Sequence, residues 1–222
     1  MIDGLRGFHP LLMILSPFGA ATRRWSSDSD PRGKSAMSGF VLLDRDGVIN
    51  RRIISGYVTY WEKFVFLPGA LEALRLLNEN HYGVIVVSNQ AGVGKGLMTA
   101  SDLDEITGRF IAEVEAQGGR ILSVYYCTHR AEDGCGCRKP KPGLLRRAQA
   151  EYHFDPDRTV LVGDTESDLL AAHAAGCPAI MVSGTPVAAP EKLPHAPLVT
   201  VPNLLAAAEF LIDKPECYNS RI

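Results

Sequence analysis

Residues 40–50 read FVLLDRDGVIN: an apolar run that stops on Asp44, then Arg45, a second carboxylate at Asp46, and Gly47. Consecutive apolar residues ending on a polar one are the pattern of a parallel strand buried on both faces. The shape returns at 84–88 (VIVVS), 122–127 (LSVYYC), 159–164 (TVLVGD) and 179–184 (AIMVSG). Helical patterns occupy 69–80, 100–117, 142–152, 167–175 and 202–211. Strands alternating with helices predict an α/β fold, a doubly wound, Rossmann-like parallel sheet. In such sheets, polar residues at the carboxyl ends of strands line the ligand crevice.

A chain of 222 residues suits one domain with a short appendage. A hydrophobic share of 46% and a formal net charge of -2 exclude general disorder and a sustained basic surface, so nucleic acid is not an expected partner. No apolar run approaches the roughly 20 residues that span a bilayer, so no membrane partner is expected and the body reads as soluble. Residues 1–37 stand apart: an apolar segment at 10–21 (PLLMILSPFGAA), then Arg23 and Arg24, then a Ser-, Asp- and Gly-rich stretch. A signal-peptide core, an organellar presequence, and a disordered extension or linker ahead of a true start at Met37 compete for it. The last is preferred, because the globular pattern begins directly after Met37. The division is then 1–37 extension, 38–213 domain and 214–222 tail. A monomer in the cytoplasm is expected.

The strand ends carry the chemistry. Asp44 and Asp46, two residues apart before a glycine, can face one crevice, so that one attacks a phosphoryl group while the other moves protons. An Asp-rich turn is the plain alternative. Ser88, Asn89 and Gln90 can hydrogen-bond phosphate oxygens, and the following AGVGKG can present backbone N–H groups or simply turn the chain. That run fails the nucleotide-loop pattern at Asn89 and Gly96, which disfavours a P-loop kinase.

Five cysteines are present, and three cluster with a histidine: Cys127, His129, Cys135 and Cys137. Four thiolate and imidazole ligands make a closed, structural Zn²⁺ set rather than a disulfide framework, and a reducing compartment follows as the default. Cys177 and Cys217 lie outside the cluster and read as free. Lys139, fixed between this loop and the prolines, is placed to neutralise a phosphoryl group, and Arg138 suits a second substrate contact. Asp44 and Asp164 can hold Mg²⁺. Asp168, a helical turn further on, either acts through water or caps the helix.

In this order the Asp-x-Asp-Gly strand end, the Ser with Asn, the Lys in RKP and the Gly-Asp-x-x-x-Asp resemble the four motifs of the haloacid dehalogenase superfamily of phosphatases. The resemblance covers residues 40–186. It implies a Mg²⁺-dependent phosphatase with Asp44 as nucleophile, forming an aspartyl-phosphate, and Asp46 as acid and base. It also implies that Ser88 and Lys139 hold the phosphoryl group, and that the Asp46 carbonyl and Asp164 complete the metal site. Cys-x-His followed by Cys-x-Cys-Arg-Lys-Pro resembles the zinc-loop subgroup that contains heptose bisphosphate and histidinol-phosphate phosphatases. By that likeness Gly56, Tyr57, Asn89, Gln90 and Arg138 would touch a small sugar phosphate, with heptose bisphosphate ahead of histidinol phosphate. Val48 departs from the Thr usual in the family, and Thr165 from a frequent Lys. The spacing of Asp44, Ser88 and Lys139 leaves no room for a large cap domain. A zinc-stabilised binding module is the non-enzymatic alternative.

Overall fold

The computed structural model describes residues 13–15, 21–24, 37–184 and 196–215. In chain order the strands are β1 (Met13–Leu15), β2 (Ala21–Arg24), β3 (Gly39–Leu43), β4 (Tyr82–Asn89), β5 (Ser123–Cys127), β6 (Thr159–Gly163), β7 (Ala179–Val182) and β8 (Val199–Val201). The helices are α1 (Ala70–Glu79), α2 (Ala91–Gly94), α3 (Ala100–Ala116), α4 (Gly143–Tyr152), α5 (Glu166–Ala175) and α6 (Leu204–Asp213). They build one sheet in the order β1-β2-β5-β4-β3-β6-β7-β8, in which β5 through β8 run parallel. Strand order reverses direction across β3 and β6, and there the open crevice of a doubly wound sheet forms.

Successive residues of β3 face opposite layers: Val41 and Leu43 pack into one core, Leu42 into the other. The first core lies under α1, α3 and α6, with Leu74, Leu77, Phe110 and Leu211 at its centre, and the second under α4 and α5, with Leu144, Leu145 and Ala172. Each such side chain contributes about 1.5–3 kcal/mol on burial, so both faces of the sheet are closed to water and only its ends remain for a ligand.

The expected strands and long helices are present within a few residues. Four of these strands and helices were not foreseen: β1, β2, β8 and α2. The Val-Thr-Val of β8 pairs in parallel with β7, and the glycine-rich run after β4 closes one helical turn as α2. Inside residues 1–37, β1 and β2 pair antiparallel to each other, and β2 to β5. The rest of that stretch, most of the tail and Cys217 lie outside the described residues. Cys177 is buried and free. Among the described residues no inserted domain covers the carboxyl ends of the strands, and no helix is long and apolar enough to cross a membrane.

Candidate active site

The chain leaves β3 through a turn in which the Arg45 carbonyl accepts the N–H groups of Ile49 and Asn50 at 2.9 and 3.0 Å. Gly47 takes φ +99° at its apex, a conformation that disfavours a side chain. A Cβ there would meet the Asp164 carboxylate, so the glycine lets the turn close on β6. The Asp44 carboxylate is held at the mouth of β3 with its N–H donating to Val162 O at 2.9 Å.

Lys139 is buried beneath it. Its Nζ lies 2.9 Å from Asp44 Oδ1 and 2.6 Å from Asp168 Oδ1, and donates to Val87 O at 2.8 Å. Two carboxylates in ion-pair contact and one carbonyl hydrogen bond make burial of the charge tolerable. Burial opposes ionisation of Lys139, but the charges of Asp168 and Asp44 outweigh it and hold the group up at about 12. Asp44 itself is pushed up, by burial first and by Asp168 and Asp46 next, with Lys139 opposing. Asp168 serves two partners. Its Oδ2 caps α5 by accepting from Thr165 N at 3.1 Å and Thr165 Oγ1 at 2.6 Å, while its other oxygen pairs with Lys139. The sequence offered capping as one reading of Asp168; the pairing with Lys139 carried no sequence signal.

Asp46 is fixed from three sides. Asn50 Nδ2 donates to it at 2.8 Å, Gln90 Nε2 at 2.6 Å and Arg45 Nη2 at 3.1 Å. Burial raises its proton affinity, but the Arg45 charge and the bonds from Asn50 and Gln90 win and leave its carboxyl below the ordinary range. Arg45 has no exposure; its guanidinium lies 5.8 and 5.6 Å from the ring centres of Phe64 and Tyr126, a cation–π pocket. Gln90, expected among the substrate contacts, points inward. It accepts from Arg45 at 2.9 Å, donates to Asp46 and to Ser88 Oγ at 3.2 Å, and does not line the cavity. Asn89 clasps the backbone of Lys139 in both directions, at 3.0 and 3.1 Å. Ser88 is buried beside Asp44, to whose carboxyl it hydrogen-bonds.

Asp44, Asp164 and Asp168 each bring one oxygen within 4.8 Å of the others. Lys139 takes one oxygen of Asp168, which leaves Asp44, Asp164 and the Asp46 carbonyl as the oxygen set gathered around one point. Hard oxygen donors of this kind suit Mg²⁺. That a cation belongs there is visible in Arg52, whose Nη2 reaches Asp164 Oδ1 at 2.5 Å, Asp46 O at 2.8 Å and Asp44 Oδ2 at 3.6 Å. Asp164 is pushed up to about 6 by burial first, with Arg52 opposing and Asp44 adding to the rise.

At the end of β5, Cys127, His129, Cys135 and Cys137 converge. Sulfur–sulfur distances are 3.2, 3.5 and 3.6 Å, and His129 Nδ1 lies 3.3 Å from Cys137 and 3.7 Å from Cys127. A tetrahedron with Zn–S arms of ~2.3 Å has edges of ~3.7 Å, so the four ligand atoms are spaced for one ion and too far apart for a disulfide. The loop between them leads straight to Arg138 and Lys139.

A cavity of about 600 Å³ opens above these groups, lined by Asp44, Asp46, Ser88, Asn89 and Lys139 at its floor and by Arg52, Gly56, Tyr57, Lys95 and Arg138 at its wall. Of the expected contacts, Gly56, Tyr57, Asn89 and Arg138 are therefore on it. Lys95, 5.5 Å from the Tyr57 ring centre, joins from the glycine-rich run and was not foreseen. Arg52 was not foreseen either, since two adjacent arginines in a polar loop read as solvated charge.

The family model described as HAD-hydrolase-like matches residues 136–207. The D-glycero-alpha-D-manno-heptose-1,7-bisphosphate 7-phosphatase of Mycobacterium bovis is 40% identical over 150 residues, 65% of this chain and 79% of the relative. The D-glycero-beta-D-manno-heptose-1,7-bisphosphate 7-phosphatase of Pseudomonas putida is 37% identical over 142 residues, 64% of this chain and 81% of the relative. Among solved structures, the B. bronchiseptica D,D-heptose 1,7-bisphosphate phosphatase complexed with magnesium and phosphate superposes with a TM-score of 0.74 at 32% identity, covering 79% of this chain and 99% of that one.

Proposed function

Because this chain belongs to the haloacid dehalogenase-like phosphatases, we propose that it removes the 7-phosphate of D-glycero-D-manno-heptose 1,7-bisphosphate through an aspartyl-phosphate on Asp44. The observation that carries the chemistry is the meeting of Asp44, Asp46 and Lys139 at one cavity floor with the Asp164 carboxylate beside Asp44, drawn from the ends of β3 and β6 and the loop after β5. The names of the relatives carry the substrate.

In this reading an Asp44 oxygen attacks phosphorus and the P–O bond to the sugar breaks. Asp46 supplies the proton to the departing oxygen. In the second half it takes a proton from water, which attacks the acyl phosphate and returns Asp44 and free phosphate. The Asp46 carboxyl, held low by Arg45, Asn50 and Gln90, rests in the form that accepts a proton. A phosphoryl dianion beside it raises its proton affinity and so equips it for the first half. Lys139 and Ser88 face the phosphoryl oxygens. Mg²⁺, held by Asp44, Asp164 and the Asp46 carbonyl, would supply positive charge against the transferring group. Zn²⁺ on Cys127, His129, Cys135 and Cys137 would keep the loop that presents Arg138 and Lys139 in shape. Gly56, Tyr57, Asn89, Lys95 and Arg138 surround the remainder of the sugar phosphate.

We take residues 38–213 as the catalytic domain, acting as a cytoplasmic monomer. Phosphate release from a panel of heptose 1,7-bisphosphate anomers, histidinol phosphate and other sugar phosphates, run with Mg²⁺, tests the reading. Heptose bisphosphate should lead the panel, and Asp44→Asn should lose turnover on the order of 10³-fold or more while melting as a folded protein. Faster release from histidinol phosphate would transfer the substrate assignment to that compound; full activity in Asp44→Asn would end the nucleophile assignment.

A further inference from the structure

The loop that follows the catalytic turn brings a second cation to the carboxylates. Arg52 Nη2 alone reaches the Asp44 carboxylate, the Asp46 carbonyl and the Asp164 carboxylate, and Nε adds a second bond to Asp164 Oδ2 at 2.9 Å. These are the oxygens assigned above to Mg²⁺. From this coincidence we infer that Arg52 is a tethered counter-cation of the metal site, which gathers its oxygens in the metal-free enzyme and must withdraw for Mg²⁺ to be held. The inference rests on the proposed metal site.

Charge balance supports it. Asp44, Asp164 and Asp168 converge within 4.8 Å, and the single charge of Lys139 is shared between Asp44 and Asp168 from below. Asp164 has no contact with Lys139 among these ion pairs, so its charge falls to Arg52. Like carboxylates left unpaired would repel and drive the turn after β3 away from β6. A guanidinium suits the waiting role, since its planar fork binds a carboxylate bidentately. It is also easily replaced there, because a divalent ion concentrates more charge on the same oxygens.

The side chain has somewhere to go. Arg52 keeps 44% of its side-chain surface exposed, against 7% for Asp44 and 15% for Asp164. Its base is anchored one residue earlier, where Arg51 N donates to Val65 O at 2.8 Å, so a rotamer change moves the guanidinium without unmaking the loop. Arg52 already lines the cavity, and a short swing leaves its charge there, beside Arg138 and Lys95. Arg52 is thus a positioning residue that sets metal affinity against its own attraction to the site.

Titration calorimetry of metal-free protein with MgCl₂ alone tests this without reference to turnover. Arg52→Ala should bind Mg²⁺ roughly three- to tenfold more tightly than wild type, because no resident cation has to be displaced. The metal-free variant should also melt at a lower temperature, and Arg52→Lys, which keeps charge but not the fork, should fall between the two in affinity. An Arg52→Ala affinity equal to or weaker than that of wild type would overturn the inference alone. If neither protein bound Mg²⁺, the metal site itself would fall and this inference with it.

Discussion

Lys139 is placed where its removal separates two kinds of contribution. The ammonium is the sole cation in contact with Asp168 among the described ion pairs and one of two beside Asp44. Lys139→Met keeps the volume of the stem but leaves the buried Asp168 uncompensated and Asp44 with Arg52 alone, which costs about 3–5 kcal/mol of stability. Urea unfolding should report that loss, and kcat should fall about 10²–10³-fold with the charge that faces the phosphoryl group. Asp164 carries a prediction in pH. Its folded carboxyl sits near 6 through burial, so its own contribution to the stability of the metal-free protein is fully present below the ordinary value of 3.8 and is lost as pH rises through about 6. Metal needs the ionised form, so protons compete with Mg²⁺ below that point. Apparent Mg²⁺ affinity should be flat above about pH 7 and fall up to about tenfold per unit below about 6. A calorimetric pH series that stayed flat down to about pH 5 would contradict the shift.

The loop that carries Cys127, His129, Cys135 and Cys137 is the clearest case of an element without a core of its own. Residues 128–138 bury few apolar side chains, and the single turn Ala131–Asp133 is all the regular structure they have. The loop's four ligand atoms are spaced for one tetrahedral ion, and zinc bound there as proposed would contribute on the order of 10 kcal/mol to a segment of this kind. Removing zinc with a strong chelator should therefore lower the melting temperature and release Lys139 from Asp44 and Asp168. Activity should fall with the zinc content measured by atomic absorption, and undiminished activity in zinc-free protein would refute the role. This element was legible because ligand chemistry needs particular residue types at close spacing. The long apolar strands were legible for a similar reason, since burial on both faces leaves no polar positions. By contrast, β8 has three residues, too few to show a period, and α2 is a single turn, Ala-Gly-Val-Gly, whose glycines read equally as a turn. Gln90 shows the same limit at one residue: an amide can serve substrate or protein, and only the position of Arg45 and Asp46 decides which.

At the scale of the whole molecule the site is a product of topology. Asp44 and Asp164 are 120 residues apart in the chain and become neighbours because β3 and β6 pair in register at the point where strand order reverses. The sequence announced that convergence through four polar strand ends, but it could not give the direction of a flexible side chain such as Arg52. The connections leaving β3 (residues 44–69) and β4 (residues 90–99) hold one 3-10 turn and the single turn of α2 and, among the described residues, carry no domain that could close over the cavity. An enzyme that closes a large lid limits its turnover by the lid's motion through solvent in many cases. Here the wall consists of the loop at 51–57, Lys95 and the cysteine loop, tied by hydrogen bonds such as Arg51 N to Val65 O at 2.8 Å and, between the last two, Gly94 N to Thr128 O at 3.0 Å. Raising viscosity with sucrose should thus leave kcat unchanged within error at saturating substrate. A kcat that fell in proportion to relative viscosity would show that a diffusive closing or release step governs turnover, and the rigid open cavity would have to be abandoned.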